Sequence, residues 1–281
     1  FPPVLLSRVD HRADQRNSMR AHPPKPWADF MRHASDLSCS DVSGPARAAM
    51  LRRVISVWTL AWLLAWGPLG AAQAQPLPLP ADDHAQWQSI GRVNVRGYNR
   101  RGMCSGTLVA PDKVLTAAHC VLRQGRPVRT SDVVFVAGWH RGDYVAAAQA
   151  TQIDLFDEVR AGSLTPERDI ALLTLNAPLD LPPIPMDRGP PTLDTSPGAS
   201  GITGPFAMVG YLSTRPHALS ASFGCQGQWE TMLRLNCPTV SGNSGGPVLR
   251  FGPKGWQVVA VVSQTNSRHS FSAPIVTLPS Q

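Results

Sequence analysis

From Gln75 onward the chain is a succession of short apolar stretches, each interrupted within a few residues by Gly, Pro, Asn, Asp or Ser. Nine of these stretches read as strands: residues 90–95, 105–109, 113–117, 133–137, 170–175, 206–211, 246–249, 256–263 and 272–276. No segment sustains the 3.6-residue period of an amphipathic helix, and residues 117–122 are expected to form a single turn. Strands this short cannot bury a face alone, so they must close on one another; the pattern predicts an all-β barrel or sandwich. The 27 Pro, 23 Gly and only 16% charged residues fit a loop-rich β protein rather than a helical one. Residues 181–205 are dense in Pro, Gly, Ser and Thr, and read as a connector between two halves.

The first 74 residues read as processing. Met50-Leu-Arg52-Arg53 precedes an apolar run over 54–66, then Gly67-Pro68 and Ala71-Ala72-Gln73-Ala74. A positive start, a short apolar core, a breaker and an Ala-x-Ala site make a secretory signal peptide over 50–74, with cleavage after Ala74. The apolar run is too short for a bilayer span, which needs about 20 residues. Translation is expected to start at Met50, leaving residues 1–49 untranslated or unstructured.

The formal charge of +7 suggests a polyanion partner until it is located. Residues 1–74 hold nine Lys/Arg against five Asp/Glu, and the remainder holds seventeen against fourteen, only +3 over the mature chain. The sole adjacent basic pair there is Arg100–Arg101, so a nucleic-acid partner is not expected. No metal-ligand cluster or cofactor motif stands out; Asp154, Asp157 and Glu158 read as a solvated loop face. Five cysteines are awkward for an exported chain, but losing Cys39 with the leader leaves Cys104, Cys120, Cys225 and Cys237. Four cysteines in an oxidising compartment allow three pairings.

Three motifs converge on one chemistry. Leu115-Thr-Ala-Ala-His119-Cys120 follows Cys104-Ser-Gly-Thr-Leu-Val, so cysteines flank a strand pair that a disulfide can clamp beside His119. His84, His140, His217 and His269 have no such setting. Arg168-Asp169-Ile-Ala-Leu-Leu places an acid at the head of a buried strand, where it can hold an imidazole tautomer and stabilise the imidazolium. Ser241-Gly242-Asn243-Ser244-Gly245-Gly246-Pro247 puts a serine on a tight turn before a strand. A serine hydroxyl needs a neighbouring base to act as a nucleophile. The amides of Gly242 and Ser244 can receive a developing oxyanion.

Taken in order, these motifs resemble those of the trypsin/chymotrypsin-like serine proteases, over roughly residues 87–277, and most closely the bacterial secreted members related to glutamyl endopeptidases. The resemblance implies two packed antiparallel β-barrels, over 75–188 and 206–281, joined by a connector at 189–205, with the active site in the cleft between them. It implies Ser244 as nucleophile, His119 as general base then acid, Asp169 as the orienting acid, and an oxyanion hole from the amides of Gly242 and Ser244. It also implies Cys104–Cys120 and Cys225–Cys237 disulfides. The expected protein is a secreted or periplasmic, monomeric endopeptidase without cofactor or metal, acting on protein or peptide substrates and free of the membrane after signal cleavage. The competing function is a catalytically silent binding or adhesion protein on the same fold.

Substrate-binding residues follow the same resemblance. Pro238 stands where trypsin-like members carry an acid for Arg or Lys, so that specificity is not expected. Thr239 resembles a threonine of Glu-specific relatives, yet the histidine those relatives add is absent from Val261-Val262-Ser263. Ser263-Gln264-Thr265 resembles the segment that pairs with substrate backbone as an added strand. Asn243 replaces the Asp that many animal members pair with a new N-terminus, so activation through that ion pair is not expected.

Overall fold

In Val133–Ala137 burial alternates, with Val133, Phe135 and Ala137 inside and Val134 and Val136 half-buried, as a strand with one face on a core requires. In the computed structural model, which describes residues 76–96, 103–189, 201–266 and 268–275, this strand is one of six in a closed barrel. The six are β1 (Ile90–Val95), β2 (Cys104–Ala110), β3 (Lys113–Thr116), β4 (Val133–Ala137), β5 (Ala146–Leu155) and β6 (Ala171–Leu175). Around the barrel they run β1-β2-β3-β6-β5-β4, every pair antiparallel. Val93, Leu108, Val114, Phe135 and Leu173 share the inner face, fill the interior and are fully or almost fully buried.

The second barrel is built from β7 (Ile202–Leu212), β8 (Arg215–Trp229), β9 (Leu233–Leu235), β10 (Pro247–Gly252), β11 (Gly255–Thr265) and β12 (Ser270–Pro274). They follow the order β8-β7-β10-β11-β12-β9, and β9 closes the ring by pairing with β8. The two-residue strand Leu77–Pro78 adds to the free edge of β8. Alternate residues of β7 serve two cores. Phe206 and Met208 pack with Leu233, Val248 and Val262, whereas Ala207, Val209 and Tyr211 join the apolar cluster of the first barrel. The barrels therefore share a continuous interface. The all-β, double-barrel architecture anticipated from the sequence is the one observed.

Strands β5, β8 and β9 were not among the anticipated nine, and β7 begins at Ile202, inside the stretch read as connector. The signal peptide expected at 50–74, residues 1–49, Cys39 and most of the connector expected at 189–205 lie outside the described residues. Among the described residues no helix is long and apolar enough to cross a membrane.

Both disulfides join the cysteines as expected, Cys104 to Cys120 and Cys225 to Cys237, with sequence separations of 16 and 12. Such covalent links fit an oxidising compartment. A loop of this length restricts the unfolded chain by about 3 kcal/mol. Replacing Cys104 and Cys120 together by Ser is expected to lower unfolding stability by about that amount, measured by urea denaturation. An unchanged midpoint would show that the bridge contributes nothing to stability.

Candidate active site

The register of β3 and β6 brings the histidine and the acid together. Thr116 pairs with Ala171 in an antiparallel ladder, so the chain leaving β3 and the chain entering β6 meet at one end of the barrel. His119 sits there on the short 3-10 turn Ala118–Val121, and Asp169 caps the 3-10 turn Pro166–Arg168. His119 Nδ1 lies 2.7 Å from Asp169 Oδ2, and the His119 main-chain N–H donates to Asp169 Oδ1 at 2.8 Å. An ionised carboxylate only accepts, so Nδ1 carries the proton and Nε2 is left with its lone pair. The His119 side chain is 36% exposed and that of Asp169 only 4%, so the pair is open on the imidazole side alone.

Burial pushes the Asp169 carboxyl up, but the hydrogen bond and charge of His119, with the Ser263 hydroxyl, pull it further down, below the usual carboxylate range. Ser263 Oγ donates to Asp169 Oδ2 at 2.5 Å. Its position on β11 is a bulge: Val262 pairs with Ser272 and Gln264 with Phe271, leaving Ser263 as the extra residue. The bulge re-aims its side chain at the acid of the other barrel.

Ser244 lies in the loop that leads into β10. Gly242 and Gly245 have φ of +98° and +80°. A Cβ on Gly245 would stand 2.2 Å from Thr116 Oγ1, and one on Gly242 2.5 Å from Ser213 N, so both positions demand glycine. Within the loop the amides are used unevenly. Asn243 N donates to Val240 O (3.3 Å), Gly245 N to Val262 O (2.8 Å) and Gly246 N to Asn243 O (2.8 Å). The N–H groups of Gly242 and Ser244 donate to no other described residue, nor does the Ser244 hydroxyl. The Cys120 sulfur stands 3.7 Å from His119 Nε2 and 3.9 Å from the Ser244 carbonyl oxygen, which brings the His119 turn and the serine loop to one place.

The residues expected to meet substrate flank this loop. Thr239 is buried, and its hydroxyl accepts from Asn243 Nδ2 at 2.9 Å. Asn243 is thus a buried amide held by a neutral partner. Thr265 Oγ1 accepts from Thr239 N at 3.2 Å and lies 3.0 Å from Thr239 O, joining the segment before the serine loop to the end of β11. Gln264 is exposed and Pro238 half-buried. The Ser263 hydroxyl is engaged by Asp169. Cys104, Cys120 and His119 offer ligand atoms within 4.8 Å of one another, but both sulfurs are consumed in the disulfide.

Two six-stranded antiparallel barrels meeting beside a histidine–carboxylate pair define the double-barrel architecture of serine proteases. Residues 104–261 match the family model described as trypsin-like peptidase domain, more than half of the chain, and the protein belongs to that family. Its structure is similar to that of a thermostable serine protease, AL20, from an extremophilic microorganism. That comparison has TM-score 0.55 and 20% identity, covering 68% of this chain and 92% of the other. It is also similar to the Vibrio cholerae VesB protease, with TM-score 0.54 and 18% identity over 72% of this chain and 64% of that one.

Proposed function

We propose that the protein is a secreted serine endopeptidase in which Ser244, His119 and Asp169 form a catalytic triad, related within its family to the bacterial glutamyl endopeptidases. The observation that carries this reading is the pair of uncommitted amides at Gly242 and Ser244, in a loop whose other amides are bonded. A loop that served only to turn the chain would gain nothing from leaving two N–H groups unpaired, one on the buried residue Gly242 and one on the half-buried Ser244. An anion binder needs them free.

The chemistry follows from the atoms. Ser244 Oγ adds to the scissile carbonyl carbon while its proton passes to His119 Nε2. The carbonyl oxygen becomes an anion held by the Gly242 and Ser244 amides. The imidazolium is stabilised by Asp169, which is already ionised and accepts from Nδ1. His119 then gives its proton to the departing amine, and the acyl group remains on Ser244 until water, deprotonated by the same imidazole, releases it. Among the described residues no hydrogen bond joins Ser244 Oγ to His119 Nε2; that contact forms when substrate arrives, as free-enzyme geometry commonly allows. With Pro238 standing where trypsin-like members carry an acid, cleavage after Arg or Lys is not favoured. Four paired cysteines and a signal sequence fit export to the periplasm or medium.

The experiment is a pH profile of casein or peptide-ester hydrolysis. A histidine base requires neutral imidazole, so activity should rise from acid toward neutral pH. A flat profile over that range would contradict a histidine base.

A further inference from the structure

Cys104 and Ser105 are neighbours at the start of β2, and they reach toward different catalytic segments. Cys104 is bonded to Cys120, the residue after His119. Ser105 binds the serine loop of the second barrel: its N–H donates to Ser244 O at 2.8 Å and its hydroxyl to Gly242 O at 2.9 Å. The same hydroxyl accepts the Tyr211 N–H at 2.9 Å, and the Ser105 carbonyl accepts from Thr116 Oγ1 at 2.8 Å. Ser105 is completely buried and every polar group it carries is engaged. A closed buried network of this kind fixes one geometry.

Gly242 is where that geometry matters. Glycine adopts either sign of φ with little cost, so a loop glycine holds one conformation only if the peptide planes on both sides are restrained. The plane before Gly242, which carries its N–H, is anchored by Ser213 N donating to Ser241 O at 2.7 Å. The plane after it is anchored at the Gly242 carbonyl by the Ser105 hydroxyl. Releasing that carbonyl leaves the Gly242–Asn243 plane, which lies between the two amides aimed at the oxyanion, held only by the 3.3 Å bond from Asn243 N to Val240 O, and the orientation of the two amides relative to each other loosens.

We infer that Ser105 is a positioning residue: its hydroxyl, acting through Gly242 O, holds the Gly242 and Ser244 amides in the oxyanion-binding arrangement. Together with the adjacent Cys104 it sets the serine loop of one barrel against the His119 turn of the other. The inference rests on the proposed roles of Ser244, Gly242 and His119.

Ser105→Ala removes one oxygen atom and keeps the N–H donated to Ser244 O. Removing an oxyanion donor outright costs about 10²–10³ in kcat, and loosening one should cost somewhat less, about 10- to 100-fold. KM should stay within about threefold, with rates expressed per site titrated by a fluorophosphonate. Affinity for a peptide boronate, which mimics the tetrahedral adduct, should fall by the same factor as kcat/KM, while affinity for a cleaved product peptide stays unchanged. Ser105→Thr retains the hydroxyl and should recover most of the lost kcat; Ser105→Gly carries the same test if the alanine variant does not fold. Wild-type kcat and boronate affinity in Ser105→Ala, or a loss shared equally by product binding, would overturn the positioning role. Absence of fluorophosphonate labelling at Ser244 in the wild-type protein would instead overturn the catalytic reading beneath it.

Discussion

Ser244→Ala is expected to abolish hydrolysis, with kcat falling on the order of 10⁶-fold. What little catalysis remains should be that of the anion-binding amides and substrate binding, about 10³–10⁴ over water. The fold should be indifferent to the change. The Ser244 side chain is incompletely buried and its hydroxyl donates to no described residue, so removing it breaks no structural hydrogen bond. A substitution of that kind shifts stability by no more than about 0.5 kcal/mol. Turnover of a peptide ester and a thermal melt, measured on one preparation, separate the two effects. Retention of more than about a hundredth of wild-type activity would exclude Ser244 as the nucleophile.

The second large effect is expected at Asp169. Three donors converge on its carboxylate: His119 N on Oδ1, and His119 Nδ1 with Ser263 Oγ on Oδ2. In Asp169→Asn one oxygen becomes an NH2 group, which can face His119 Nδ1 only if that nitrogen gives up its proton. The imidazole proton then moves to Nε2, where it occupies the lone pair needed by Ser244. The expected loss in kcat is about 10⁴-fold at neutral pH, with KM little altered. Stability changes in a pH-dependent way. The folded carboxyl titrates below its unfolded value, so its ionisation favours the native state above about pH 4 and that contribution disappears as pH falls through the lower, folded value. The asparagine variant should lack this acid-side decline. Identical acid limbs in urea midpoints between pH 2 and 6 would contradict the assignment of Asp169 as an ionised, hydrogen-bonded acid.

How much of this was legible in the sequence depends on the range over which each residue acts. Val133–Ala137 and Ile90–Val95 announce themselves, because alternation and β-branched residues are local properties and the barrel uses them as written. Ala146–Leu155 does not: three successive alanines and two glutamines have little intrinsic preference for a strand, and its place is fixed by pairing with β4 and β6. Arg215–Trp229 hides for another reason. It contains Pro216, Gly224 and Gly227, which read as turns, yet Gly224 at φ +74° sits where the pairing of β8 with β7 slips between Ser222 and Cys225. Gly204-Pro205 likewise disguised the start of β7.

The site divides along the same line. His119, Asp169 and Ser244 each stand in a local motif that names its chemistry. Ser105 and Ser263 carry no such mark, because their partners, Gly242 and Asp169, are 137 and 94 residues away and belong to the opposite barrel. Ser263 was anticipated as part of a segment pairing with substrate backbone; its side chain has a different occupation, supporting the acid. Thr239 and Thr265 were expected to meet substrate; their hydrogen bonds to one another, and that of Thr239 with Asn243, tie the segment before the serine loop to the end of β11.

The central claim is that Ser244 is a nucleophile activated by His119 and Asp169. It is tested most directly by treating the folded protein with a fluorophosphonate and mapping the adduct by mass spectrometry. One phosphonyl group per chain, confined to the peptide carrying Ser244 and lost when Asp169 is changed to Asn, is the predicted result. Labelling at another serine, or undiminished proteolysis by protein that takes up no label, would contradict it.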